Sequence, residues 1–98
     1  MNEQTGDAET DFARGHRLLA IAIIAQAFVD LTDPEERADA EEFLTRTFWE
    51  PEAELEPGIP FRHILPNMFT ESARAAVVGR VQAVKAGGRL GAIAELFA

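Results

Sequence analysis

Apolar residues recur at spacings of three and four from Leu18 onward, through Ile21, Ile24, Ala25, Phe28 and Leu31. That period marks one face of a helix, expected to start near Thr10 or Asp11, either of which suits an N-cap, and to run to about Leu31. Leu19, Ala22, Ile23 and Val29 fall outside the stripe, so little of this helix beyond Leu18 is polar. A helix apolar on most sides has to be central to the core or covered by a second copy of the chain. Residues 1–9 carry no such period and are expected to form a mobile acidic tail ahead of a single helical domain over residues 10–98.

The next boundary is Thr32-Asp33-Pro34-Glu35-Glu36. A capping residue precedes a proline suited to the first helical turn, with carboxylates at the positive end of the helix dipole. The helix that follows carries Ala40, Phe43, Leu44, Thr47 and Phe48 on one side and Glu36, Asp39, Glu42 and Arg46 on the other. It should end near Trp49, since Glu50 precedes Pro51. Residues 50–60, with three prolines, a glycine and four glutamates, are expected to be an acidic, proline-rich loop. Pro60 opens a short helix stopped by Pro66. Thr70 or Ser72 caps a longer one to about Ala86, with Val77, Val81 and Val84 inward and Gly87-Gly88 as its end. Leu90, Ile93, Leu96 and Phe97 have the spacing of a last helix. No strand pattern of useful length stands out, so the expected fold is all-α, a single small domain of four to five helices, with pairing into a helical dimer as one way to cover the first helix.

Charge changes this picture. The 98-residue chain has a net charge of -8 and a hydrophobic content of 47%, an ordinary globular composition that disfavours disorder and membrane classes. Residues 1–56 hold 15 acidic residues and 4 arginines, or -11, whereas residues 57–98 hold 5 basic and 2 acidic residues, or +3. The acidity therefore belongs to the N-terminal segment, the second helix and the loop. One reading is a solvated face. The other is a surface for a basic partner, made of Glu35, Glu36, Asp39, Glu42, Glu50, Glu52, Glu54 and Glu56.

The chemistry-bearing residues are few. There is no cysteine, which excludes disulfides, thiol catalysis and the common structural zinc sites. His16 and His63 are isolated along the chain, and no metal or cofactor is expected. Gly87-Gly88-Arg89-Leu90-Gly91 lacks the preceding strand and the Lys-Ser/Thr of a phosphate loop. No nucleophile elbow or triad appears, and an enzyme is not expected. Ala83, Gly87 and Ile93 have the spacing of a helix-turn-helix. However, the helix that would read the bases offers only Glu95 as a polar side chain, so direct nucleic-acid binding is disfavoured. The acidic start is unlike a secretory signal, and the apolar run from Leu18 to Val29 is about 12 residues against the roughly 20 of a membrane span. No membrane association is expected, and the cytoplasm of a host cell is the expected location. Trp49 is either a core lid or an aromatic anchor for a partner. Ile23, Leu90, Ile93 and Phe97 are the candidates for self-association, and a homodimer is expected.

The run Leu-Leu-Ala-Ile-Ala-Ile-Ile-Ala-Gln-Ala-Phe-Val-Asp-Leu, then Asp-Pro-Glu-Glu-Arg-Ala-Asp-Ala-Glu-Glu-Phe-Leu, then Phe61-Arg62-His63-Ile64-Leu65, resembles small helical accessory proteins encoded in phage and prophage genomes. It spans residues 17–65, with the proline-glutamate loop inserted before Phe61. The resemblance implies a small interaction protein and brings no catalytic residue. Together with the charge it suggests an acidic inhibitor, anti-CRISPR-like, acting as a nucleic-acid mimic on a basic host or phage protein. The alternative is a structural, assembly or dimeric regulatory protein of a mobile element, with a DNA-binding regulator third.

Overall fold

The computed structural model describes the backbone of residues 2–87 and the side chains of residues 14–87. The expected last helix, with Leu90, Ile93 and Phe97, lies outside the described residues. Helix α1 is Asn2–Asp30, α2 Arg37–Thr45, α3 Phe61–Ile64 and α4 Glu71–Lys85. Strands β1, Glu54–Glu56, and β2, Ile59–Pro60, form an antiparallel hairpin. The fold is thus mostly helical with a small sheet.

Helix α1 starts earlier than Thr10 or Asp11. The backbone of residues 2–9, read from the sequence as a tail, continues the helix. Glutamate, glutamine and alanine there are good helix formers, and acidic residues suit the start of a helix dipole. Apolar periodicity predicts which helices pack, and says less about where a polar helical end begins.

The two candidate caps at residues 32 and 33 divide the junction between α1 and α2. The Thr32 hydroxyl donates to the Val29 carbonyl at 2.6 Å, closing α1. The Asp33 carboxylate accepts from the Glu35 backbone N–H at 2.9 Å and the Asp33 carbonyl from Arg37 N–H at 2.9 Å, bracing the turn ahead of α2. The helix starts at Arg37, later than expected, with Glu36 as an N-cap that makes no side-chain cap bond. Arg37 also donates its Nε to the Leu31 carbonyl at 2.8 Å, satisfying one of the acceptors that a helix end leaves free.

Two stretches depart from the expected elements. Helix α2 stops at Thr45, and Thr47–Trp49 form a single 3₁₀ turn. Neighbouring residues on an α-helix point about 100° apart. The tighter turn allows Phe48 and Trp49 to be buried together. The expected loop over residues 50–60 contains the hairpin, with Glu54 opposite Pro60 and Glu56 opposite Ile59. Gly58 turns the chain at φ 85°, a left-handed conformation that glycine adopts without steric cost.

The core lies where α1, α2, α3 and α4 converge. From α1 it takes Ala20, Ile24, Ala27, Phe28 and Leu31. Compared with the expected stripe, this face is turned toward two alanines, which let α2 approach at Ala40. Leu18, expected inward, is 57% exposed. Phe48 is the hub of the aromatic cluster, with ring centroids 4.8 Å from Trp49, 4.9 Å from Phe61 and 5.1 Å from Phe69. Edge-to-face and offset pairs of this kind add about 0.5–1.5 kcal/mol each beyond burial. Thr70 caps α4, its hydroxyl accepting from Ala73 N–H at 3.1 Å, and Val77, Val81 and Val84 face inward as expected. Among the described residues no helix is long and apolar enough to cross a membrane.

Candidate acidic interface and apolar groove

The acidic residues do not form one uniform face. Glu35, Glu36, Asp39 and Glu42 are all exposed, on α2 and the turn before it. Glu42 pairs with Arg46 one turn on, and the neighbouring Glu41 holds Lys85 of α4 at 2.8 Å. The α4 side of α2 is therefore partly neutralised. Glu36 and Asp39 lie on the other side, where α2 meets α1, and there they are joined by Asp30.

Between α1 and α2 at that edge runs a groove of about 290 Å³. Its floor is apolar, with Ile23 and Ala27 from α1 and Ala40 and Phe43 from α2. Asp30, Glu36 and Asp39 stand at its rim. Gln26 donates from Nε2 to the Asp30 carboxylate at 3.0 Å. Among the described residues, no cationic nitrogen lies within 4.0 Å of these three carboxylates. Like charges beside apolar walls focus the field in a cleft. Ile23, a candidate for self-association, is half-buried here.

The hairpin holds the remaining glutamates in other settings. Glu54 accepts from the Gly58 backbone N–H and braces the turn. Glu56 brings a carboxylate oxygen 4.0 Å from Nε2 of His16, an ion pair only when the imidazole is protonated. No acidic residue lies three or four positions from His16 in the chain, so this partner was invisible to local spacing. Glu52 is exposed and Glu50 half-buried.

Trp49 is 8% exposed and sits in the core. The Arg74 guanidinium lies over its ring at 5.6 Å from the centroid, and the same arginine donates to the Thr45 carbonyl at 3.2 Å. Arg62 lies over Phe69 at 6.0 Å. These two arginines border a depression of about 380 Å³ with Glu71 beside them. Its basic side chains are engaged with aromatic rings, and its carboxylate offsets part of their charge.

Asp30, Ala27, Ala40 and Phe43 were not singled out from the sequence as site residues. Asp30 was the available signal, the one carboxylate in the stretch from Leu18 to Leu31, which is apolar apart from it and Gln26. Among the described residues, no three His, Asp or Glu side chains cluster as metal ligands would. Comparison with protein-family models, curated proteins and solved structures finds no match, so the functional reading rests on the geometry of this chain.

Proposed function

We propose that this chain is a non-enzymatic interaction protein whose acidic surface occupies a basic, nucleic-acid-binding face of another protein and so inhibits it. The observation that supports this reading is the set of exposed carboxylates on α2 and its leading turn, of which Glu35, Glu36 and Asp39 have no cation beside them among the described residues. Unneutralised surface charge of one sign speeds association with an oppositely charged partner and directs partner choice. Encoding by a phage or other mobile element, and an anti-CRISPR-like role, belong to this proposal through the resemblance of residues 17–65.

The test uses the immobilised full-length chain and its variant E35K/E36K/D39K/E42K. The parent is expected to retain a basic protein that elutes as salt rises and that gives up bound DNA to the acidic chain in competition, while the variant retains none. Binding insensitive to salt, or unchanged in the variant, overturns the reading.

A second reading, self-association in an assembly, is favoured by one observation. Leu18, Leu19 and Val29 of α1 are 57%, 45% and 44% exposed, and large apolar side chains grouped on one helix commonly mark an interface.

A further inference from the structure

Building on the acidic-surface reading, we propose that the groove between α1 and α2 receives a basic amphipathic helix of the partner protein. Ile23, Ala27, Ala40 and Phe43 form its apolar floor. Leu19 is one helical turn before Ile23 and 45% exposed, so the apolar track continues along α1 beyond the groove's end. Asp30, Glu36 and Asp39 edge the floor, with no cation beside them among the described residues. The occupant that matches is apolar along one face and carries Lys or Arg on its flanks.

The walls decide its conformation. Both are helices, whose backbone groups are bonded internally, so they offer no strand edge for an extended peptide to pair with. An amphipathic helix brings its own backbone bonds already made and needs only side-chain complementarity. Charge also selects among possible occupants. A second copy of the chain carries a net charge of -8, which opposes its approach to an acidic rim, and residues 88–98 offer only Arg89 and Glu95 as charged side chains.

The test is fluorescence anisotropy on the full-length protein with a labelled Leu/Lys peptide whose leucines fall on one helical face, against a scrambled peptide of identical composition and charge. The patterned peptide is expected to bind at least about tenfold more tightly, the scale of burying one or two aliphatic side chains. Ile23→Glu and Leu19→Glu should each weaken it several-fold although they add negative charge. E36Q/D39N should weaken it and flatten its salt dependence, whereas Glu71→Gln, in the depression beside Arg62 and Arg74 that shares no residue with the groove, should leave it within about twofold. Leu19 is exposed, so its variant keeps the test valid if Ile23→Glu lowers the melting temperature. Equal binding of the two peptides overturns the groove while leaving the acidic-surface reading standing. No binding of either also overturns the groove, and the competition assay on the four-lysine variant decides the broader reading separately. A dimer that Ile23→Glu dissociates, with peptide affinity unchanged, assigns the groove to a second copy. Binding that emerges only after Leu90, Ile93 and Phe97 are changed to serine assigns it to the chain's own C-terminal segment. Either result overturns the proposal.

Discussion

The indole Nε1 of Trp49 donates to the backbone carbonyl of Leu44 at 2.7 Å, inside the core. Leu44 belongs to the last turn of α2, where carbonyl groups run out of helical partners. The tryptophan therefore serves as a side-chain cap as well as an apolar filler, and it turns the chain from α2 toward the hairpin. The 3₁₀ turn over Thr47–Trp49 brings the indole back over the helix it caps.

Trp49→Phe keeps an aromatic ring but removes the donor. Leaving a buried acceptor without its partner costs about 1–3 kcal/mol, and the smaller ring adds a packing loss. For a domain of this size each kcal/mol lowers the melting temperature by roughly 4–8 °C. Thermal unfolding followed by circular dichroism should show a drop of that order, with native helicity retained at low temperature. An unchanged melting temperature would mean that the hydrogen bond adds nothing beyond ring burial.

Much of the helical architecture is legible in local chemistry. Thr70 announces its helix because a short oxygen-bearing side chain can reach a free backbone N–H, a property independent of tertiary context, and Asp33 uses the same chemistry in the turn ahead of α2. Val77, Val81 and Val84 follow the same logic for packing, since α4 has one apolar face and one choice. Helix α1 has several, and the period alone could not place Leu18. The face that turns inward carries Ala20 and Ala27, buried with Ala40 of α2, small residues that permit close approach and whose signal in an apolar run is weak. The hairpin was hidden because each strand is too short for an alternation to show, and Pro60 stands where a strand pattern would be sought. The groove is a product of two helices meeting. Ala40 and Phe43 of its floor were visible as the apolar side of α2, Ile23 as a self-association candidate, and Glu36 and Asp39 of its rim as solvated charge, and only their juxtaposition with Ala27 and Asp30 makes a site.

The caps yield a second prediction. Thr70→Ala removes the acceptor for Ala73 N–H, and Asp33→Ala removes the acceptor for Glu35 N–H. Each should cost about 1 kcal/mol, while Thr70→Ser should cost a few tenths because the hydroxyl remains. The two caps share no partner, so the double variant should lose nearly the sum. Urea unfolding monitored through Trp49 fluorescence measures this directly, and a Thr70→Ala variant as stable as the parent would show that the cap geometry is not maintained in solution.

The exposed side of α1 carries the third. Leu18, Ala22, Ala25 and Val29 succeed one another at spacings of four, three and four, the repeat by which helices pair along a seam. Its two large members are exposed, Ala22 is exposed and Ala25 is half-buried. Two such stripes in contact would remove apolar surface from water at about 25 cal/mol per Å², with alanines at the centre permitting close approach. Self-association through this seam should appear in sedimentation velocity as a mass that rises with concentration, and L18Q/V29Q should return it to a monomer without lowering the melting temperature. Both side chains lie outside the core, so loss of association in that variant separates pairing from folding. A monomer at every concentration in the parent removes the assembly reading, whereas the α1–α2 groove shares no residue with the seam, so its proposed occupant is tested independently of pairing.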